Sequence, residues 1–300
     1  MDAVKMSFPQ GGSPMAMPVY DVSGIKRKFL DVPYASSPKQ TVDIYLPDEG
    51  DGPFPTIVFI HGGAFVGGEK RDTQMAYVLN GIRRGYAVVS VDQRLWPEAI
   101  FPEQLFDFKC ALRFLHANAD KYMLDSKRFA SAGDSAGGYF ALFSAATQDI
   151  PAYEGELGWE GYSSKVQAVI GWCGVYDLVE QSEFTRAQPT PEGAPADTPV
   201  FDFADMFAGV ETQTHRGLMR FTSPKYFITP SFPPALIQTG DMDQVVPYKN
   251  SVELAEKIRE VCGEDRCVLD IFPGCTHLDP KINTPENEEH VFAFLDKYLK

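Results

Sequence analysis

The sequence predicts an α/β fold in which a mostly parallel central sheet is flanked by helices, and three observations carry that prediction. Residues 56–60 and 87–91 are largely apolar and rich in β-branched side chains, as strands buried on both faces of a parallel sheet are. Helical patterns separate these runs, and this alternation is typical of parallel strands joined by right-handed crossovers. The run Gly133-Asp134-Ser135-Ala136-Gly137 follows another such strand directly and opens a helix, which indicates a tight strand-to-helix turn.

The predicted elements follow one another along the chain as this fold requires. Residues 25–29 and 41–46 alternate in polarity and are predicted to be antiparallel strands at a sheet edge. Apolar residues recur at helical spacing from 103 to 119, which predicts a long helix leading to the strand before Ser135. The later predicted elements are strands at 166–172, 235–239 and 268–272, and helices at about 248–262 and 285–299.

Length and composition fit one domain with a large core. The chain has 300 residues, of which 44% are hydrophobic and 23% charged. Residues 1–20 are rich in Met, Gly, Pro and Ser and are predicted to form a loose N-terminal arm. Residues 21–300 then form the domain.

A long irregular segment, about residues 176–232, interrupts the alternation of strand and helix. It contains several prolines and acidic residues, and such a segment between two core strands is typical of a lid over a site. Its cluster of Phe201, Phe203, Met206 and Phe207 favours an apolar flap over a substrate pocket. A mobile surface insertion is the alternative.

The net charge restricts the classes of partner. A formal charge of −14 would repel nucleic acid and anionic membranes, so neither is expected as a partner, and a small-molecule substrate is. No signal peptide and no apolar run of membrane-spanning length is found in the sequence, which predicts a cytoplasmic chain. Homo-oligomerisation stays open.

The five cysteines predict free thiols rather than a disulfide framework. An odd number without a secretory signal favours this interpretation. Cys262 and Cys267 bracket a short turn, and a bridge between them stays open. Because no Cys/His set has zinc spacing, neither a metal nor any other cofactor is expected.

The Gly-x-Ser-x-Gly motif predicts a nucleophilic serine whose hydroxyl projects from the edge of the sheet. Gly133 and Gly137 lie where strand and helix cross and where a Cβ would collide. Ser135 is thereby held in a strained backbone at a helix N-terminus, where amides favour a developing negative charge. The alternative is a glycine-rich turn with an incidental serine.

A second glycine loop follows the strand at 56–60. His61-Gly62-Gly63 leaves backbone amides uncovered at the end of a buried strand, so Gly62 and Gly63 are candidates to bind an oxyanion. The alternative is a plain glycine-rich turn. His61 is predicted to brace this loop rather than to transfer protons.

A base and an acid follow later strands. Ser135, the acidic loop 241–243 and His277 all come after predicted parallel strands, so they are expected along one sheet edge. His277 is the one histidine in a loop after a late strand. A serine needs such a base, and the base needs a third group to orient it.

Together, His61-Gly62-Gly63, the serine motif, the 240–247 loop and His277 resemble the α/β-hydrolase superfamily over about residues 25–300. The serine motif is similar to that of the hormone-sensitive-lipase-like esterases, although Ala64 stands where that branch usually has a third glycine. Arg94-Leu95 with Glu98-Ala99, and the Gly-x-x-Asp-x-x-Val-Pro pattern ending at Pro247, resemble the bacterial carbohydrate acetyl and feruloyl esterase branch. The resemblance puts the acid at Asp243 rather than Asp241.

The resemblance implies a serine carboxylesterase that hydrolyses short-chain acyl (acetyl-type) or feruloyl esters, including esters on carbohydrates. In that reaction His277 takes the proton of Ser135, Asp243 fixes the imidazole, and an acyl-enzyme forms. The amides of Ala136 and of Gly62 or Gly63 hold the oxyanion. The alternatives are an arylformamidase-type amidase, a small peptidase, or, less favoured because all three positions are filled, a ligand-binding receptor without catalysis.

Overall fold

A mixed sheet runs through the protein in the computed structural model, which describes residues 18–189 and 200–300. In those residues the sheet has eight strands, in the spatial order β1-β2-β4-β3-β5-β6-β7-β8. Strand β2 pairs antiparallel with β1 and β4, and the other pairs are parallel. The predicted parallel sheet with an antiparallel edge is confirmed, but its first strand lies at Lys28–Pro33 instead of the predicted residues 25–29. The strands are β1 (Lys28–Pro33), β2 (Thr41–Tyr45), β3 (Phe54–Ile60), β4 (Ala87–Val91), β5 (Leu124–Asp134), β6 (Ala168–Trp172), β7 (Ala235–Gly240) and β8 (Cys267–Phe272).

Helices cover both faces of this sheet. Successive residues of β3 alternate between two apolar cores, because side chains of a strand point to opposite faces in turn. One core packs against α2, α3 and α7, and the other against α1 and α8. The α-helices in the described residues are α1 (Ala76–Leu79), α2 (Glu103–Ala117), α3 (Ala136–Ala146), α4 (Leu178–Ala187), α5 (Phe203–Ala208), α6 (Arg216–Met219), α7 (Lys249–Cys262) and α8 (Pro285–Leu299).

The 176–232 segment contains helices α4, α5 and α6 where the structure describes it. Phe207 is fully buried and stacks on Phe65, with 4.0 Å between ring centroids. Phe203 is also buried in this core, so the expectation that the aromatic cluster forms a flap is wrong for Phe203 and Phe207. Phe201 is exposed. The prolines between 190 and 199 lie outside the described residues, and the lid stays a prediction.

The start of the described chain is paired to the domain. Tyr20 N–H donates to the Arg71 carbonyl at 2.6 Å, and Thr73 N–H donates to the Pro18 carbonyl at 2.9 Å. Residues 18–20 are thus held against the domain, which corrects the prediction of a loose arm for these three residues. Residues 1–17 of that arm lie outside the described residues.

Two further predictions concern a disulfide bond and membrane-spanning helices. All five cysteines are free thiols, so Cys262 and Cys267 are not bridged. Within residues 18–189 and 200–300, no helix has both the length and the apolar character needed to cross a bilayer.

Candidate active site

Ser135 lies on a strained turn between β5 and α3. Its φ is 54° and its ψ is −119°, a conformation that a residue with a Cβ rarely adopts. The turn is possible because two glycines lie beside it. A Cβ on Gly137 would come within 2.0 Å of the Ile60 carbonyl oxygen, and one on Gly133 within 2.4 Å of the Gly137 backbone. The steric role predicted for both glycines is confirmed.

The structure brings the predicted serine, histidine and acid together. His277 Nε2 lies 3.1 Å from Ser135 Oγ, and His277 Nδ1 lies 2.7 Å from Asp243 Oδ2. The other carboxylate oxygen of Asp243 accepts the N–H groups of Val245 and Val246 at 2.8 and 2.9 Å. These bonds fix the carboxylate, which in turn orients the imidazole. The arrangement has the hydrogen-bond geometry that proton transfer from a serine to a histidine requires.

The second acid of this loop has a different partner. Asp241 Oδ1 accepts the N–H of Gly274 at 2.6 Å, in the loop that carries His277. Asp241 is exposed, whereas Asp243 is buried. Asp241 therefore ties two loops together, and its carboxylate is not bonded to the imidazole.

His277 lies in a polar but largely enclosed environment. Burial alone would lower the pKa of its imidazole, but the Asp243 carboxylate and the neighbouring Cys173 thiol outweigh burial and raise that pKa to about 10. Cys173 follows β6 and has a positive φ of 50°. The sequence pattern does not predict that this thiol lies beside the imidazole. The contact depends on the relative positions of the loops after β6 and β8.

Cys173, Asp243 and His277 also form a group of metal-ligand type. One ligand atom from each lies within 4.8 Å of the others, which among the described residues is the one such group of three. Asp243 and His277 already share a hydrogen bond, and His277 shares another with Ser135. The group fits a proton-transfer arrangement, and we assign no ion to it.

The glycine loop after β3 lies against Ser135, but Gly62 is not a free donor. Its N–H donates to Gln74 Oε1 at 2.7 Å and to Asp134 Oδ1 at 3.1 Å. This corrects the prediction for Gly62. Within the described residues, the amides of Gly63 and Ala64 have no protein acceptor, and neither does the amide of Ala136.

Ala64 is thus a candidate oxyanion donor that the sequence did not indicate. Its φ of 51° and that of Gly63, 116°, turn the loop after the strand. Gly62 lies against Ser135 as well, since a Cβ at that position would lie 3.1 Å from Ser135 Cβ. Two or three amides beside the nucleophile can stabilise an oxyanion at its carbonyl.

His61 holds this loop, as the sequence predicts. Its Nδ1 lies 2.7 Å from the Gly62 carbonyl oxygen, and the ring is buried. Behind it, buried Asp92 accepts both the backbone N–H and the ammonium of Lys70, at 2.7 and 2.8 Å. This buried ion pair therefore anchors the segment after the glycine loop at Lys70.

The residue before the nucleophile is a fully buried carboxyl. Burial raises the pKa of Asp134 to about 7, and the nearby Asp72 adds to this, while His277 and the Gly62 N–H act in the opposite direction. One of its oxygens, Oδ2, has no hydrogen-bond partner among the described residues. Asp134 joins the serine turn to the glycine loop.

An open, mostly parallel sheet with a serine on the turn after β5, an acid after β7 and a histidine after β8 defines the α/β-hydrolase fold. The sequence prediction of this fold is confirmed. The chain belongs to the BD-FAE family, whose model matches residues 42–258.

Individual proteins resemble this chain in sequence or in structure over most of its length. The chain is 31% identical over 249 residues to Esterase LipC of Mycobacterium tuberculosis, covering 81% of this chain and 58% of that protein. A truncated form of a carbohydrate esterase from gut microbiota has a TM-score of 0.79 at 25% identity, covering 93% of this chain and 99% of that one. A bifunctional GH43-CE protein of Bacteroides eggerthii has a TM-score of 0.77 at 27% identity, covering 91% and 38%. The chain spans about half the length of the curated relatives it matches.

Proposed function

We propose that this protein is a serine carboxylesterase that cleaves short-chain acyl esters, of the acetyl type, carried by carbohydrates. The observation that carries the proposal is the pair of contacts made by His277, 3.1 Å to Ser135 Oγ and 2.7 Å to Asp243 Oδ2. The names of the relatives support ester hydrolysis, and that of one structural neighbour, a carbohydrate esterase, supports a carbohydrate substrate.

In the proposed reaction Ser135 Oγ attacks the ester carbonyl while His277 Nε2 takes its proton. The amides of Gly63, Ala64 and Ala136 donate hydrogen bonds to the carbonyl oxygen as negative charge develops on it. His277 then gives its proton to the leaving alcohol, and an acyl group stays on Ser135. His277 next takes a proton from a water molecule that attacks the acyl carbonyl. The bond to Ser135 Oγ then breaks, the acid leaves, and His277 returns the proton to Ser135. Asp243 holds the imidazole in the required tautomer throughout.

A short acyl group is preferred in this proposal. Neither the sequence nor the described surface has the long apolar face of an interfacial lipase, although single apolar side chains are exposed. We expect acetyl to butyryl esters to exceed octanoyl esters in kcat/KM by at least about tenfold, equivalent to about 1.4 kcal/mol. Feruloyl esters, the second class of ester that the sequence analysis predicts, and formamides, the substrates of the amidase alternative, belong in the same panel.

The experiment measures release of p-nitrophenol from esters of graded chain length by the protein and by Ser135→Ala. Mass spectrometry after a short exposure to substrate detects the acyl group on the peptide that contains Ser135. Acyl transfer to Ser135 and loss of turnover in the variant are expected. Turnover that survives Ser135→Ala would contradict the proposal, and faster cleavage of formamides than of acetates would favour the amidase.

A further inference from the structure

A cavity of about 540 Å³ lies between α1 and the start of α8, on the face of the sheet opposite α3. The volume is in the range of small-molecule sites. Both aromatic and polar side chains line it, among them Thr73, Tyr77, Asn80, Trp172, Asn283 and Glu288. None of the three residues of the serine arrangement is among its lining residues.

Three short connections nevertheless join this cavity to the serine site. Its lining residue Leu278 directly follows His277 in the chain. The carbonyl of Trp172 accepts the N–H of Ser135 at 2.7 Å. Gln74, also in the lining, accepts the N–H of Gly62 through its Oε1. The cavity therefore borders the segments that carry Ser135, His277 and the glycine loop.

A pair of stacked aromatic rings forms one wall. Tyr77 and Trp172 have centroids 5.4 Å apart and planes inclined by 18°. Trp172 is buried, but Tyr77 is only half-buried and keeps part of its surface open to the cavity. Rigid aromatic side chains bind flat apolar surfaces without much loss of conformational entropy, and the C–H face of a pyranose ring is such a surface.

Hydrogen bonds hold this wall in place. Trp172 Nε1 donates to Gln238 Oε1 at 2.8 Å, and Gln238 Nε2 donates to Asn287 Oδ1 at 2.7 Å. Asn287 Nδ2 returns a bond to Gln238 Oε1 at 3.0 Å and gives another to the Ile282 carbonyl. The network links β6, β7 and α8, so the cavity is preorganised.

The remaining lining combines apolar side chains, such as Leu278 and Ile282, with polar ones, and it contains no positively charged residue. The Thr73 hydroxyl and the Asn283 amide are exposed toward solvent and available to a ligand with several hydroxyl groups, whereas Asn80 Nδ2 donates to Glu288 Oε2 at 2.8 Å. The lining includes Glu288 and Glu289 but no Lys, Arg or His. Arg84 pairs with both glutamates from outside the lining and offsets one of the two charges. An anionic ligand would therefore be repelled.

We infer that this cavity binds the sugar of the substrate as a neutral pyranose, with Tyr77 against the ring and with uronic acids disfavoured. The inference rests on the proposed function, because it assigns the cavity to the alcohol side of the ester. Tyr77 and Asn283 are then specificity-determining residues outside the serine site.

The kinetic test compares two acetate esters with different alcohols. Acetate release from an acetylated methyl β-D-xylopyranoside and from ethyl acetate is followed by pH-stat. We expect Tyr77→Ala and Asn283→Ala each to lower the ratio of the two kcat/KM values, Tyr77→Ala by tenfold or more, because ethanol is too small to fill the cavity. The exposed Tyr162, which does not line the cavity, provides the matched control Tyr162→Ala. An unchanged ratio in both cavity variants would overturn the inference.

A binding test separates this inference from the proposed function. Methyl glucoside and methyl glucuronide are titrated into Ser135→Ala protein, with tryptophan fluorescence as the signal. Saturable binding of the glucoside, at least tenfold tighter than the glucuronide and weakened by Tyr77→Ala and Asn283→Ala, is expected. Equal binding of both sugars, or no saturable binding, would overturn the inference. If the wild-type protein releases acetate from neither ester, the proposed function fails, and the titration still decides what the cavity binds.

Discussion

The Asp134 carboxylate accepts the N–H of Gly62 at 3.1 Å, so the residue before the nucleophile is bonded to the glycine loop. The same N–H also donates to Gln74. These two bonds take Gly62 out of the set of possible oxyanion donors, which leaves the amides of Gly63 and Ala64 as the candidates in this loop. The cost of this arrangement is a carboxyl that is fully buried.

That burial predicts a pH-dependent gain of stability in Asp134→Asn. The folded pKa of about 7 lies above the ordinary value of 3.8, so the folded state holds the proton more tightly than the unfolded state. The free energy of unfolding therefore decreases as the pH rises from 3.8 to about 7. Above about pH 7 the loss of stability is complete. A difference of about 3 pKa units corresponds to about 4 kcal/mol, so we expect Asp134→Asn to stabilise by about 1–4 kcal/mol at pH 8.

Urea unfolding at pH 5 and pH 8 measures this effect, and the pH 5 value serves as the control. An asparagine oxygen can still accept the Gly62 N–H, so the loop contact is kept. The gain should be much smaller at pH 5, where most of the buried carboxyl is protonated. An equal gain at both values would mean that the charge of Asp134 is not the cause.

His277 predicts an alkaline rise of activity. Only the neutral imidazole can accept the proton of Ser135, and the folded environment raises the pKa of this imidazole above its ordinary value. The rise in kcat/KM should therefore have its midpoint above pH 6.5, with an uncharged ester as substrate. Cys173 contributes to the raised pKa, so Cys173→Ala should move the midpoint to lower pH.

A histidine outside the site gives the control for that profile. His215 is exposed and precedes α6 as its N-cap residue, and His215→Ala should leave the midpoint in place. A midpoint below pH 6 in the wild-type protein would contradict the prediction that the hydrogen bond to Asp243 raises the pKa of His277.

Phe207→Ala should destabilise the fold rather than change the substrate ranking. The ring is fully buried against Phe65, Tyr139 and Phe140, so its removal leaves a cavity in the core. Loss of a buried phenylalanine costs about 3–5 kcal/mol. The midpoint of urea unfolding measures this loss. The exposed Phe201 lies in the same segment, and Phe201→Ala should change the midpoint little.

The regular elements could be predicted from the sequence because their signals are local. Buried parallel strands such as β3 and β4 read as apolar runs, and α8 begins and ends where its pattern predicts. The burial of Phe207 could not be predicted, because the same apolar residues are consistent with a flap and with a core. Phe65, against which Phe207 stacks, lies more than a hundred residues away in the chain.

In the serine site, too, some features could be predicted from the sequence and others could not. Ser135, Asp243 and His277 each follow a strand of one parallel sheet, so topology alone brings them to a common edge. Which glycine amide is free depends instead on side chains from elsewhere, Gln74 and Asp134. Glycine spacing does not contain that information.

The last prediction distinguishes the two acids of the β7–α7 loop. Asp243 Oδ2 is bonded to His277 Nδ1, whereas Asp241 Oδ1 accepts the backbone N–H of Gly274. Asp243→Asn keeps the shape of the side chain but removes the charge that selects the imidazole tautomer. A triad acid that loses its charge in this way costs about 10⁴ in kcat. We therefore expect a fall of this order for Asp243→Asn, measured with an acetate ester.

Asp241→Asn is the matched control, because it makes the same chemical change two residues away. Its amide oxygen can still accept the Gly274 N–H, so kcat should fall by about tenfold or less, in line with a modest loosening of the loop. Thermal unfolding of both variants excludes global unfolding as the cause of lost activity. If Asp241→Asn were the more damaging change, the acid would be misassigned, while the fold and the attack by Ser135 would be unaffected. If both changes were mild, His277 would not depend on a carboxylate for its orientation, and the contact at 2.7 Å would be structural only.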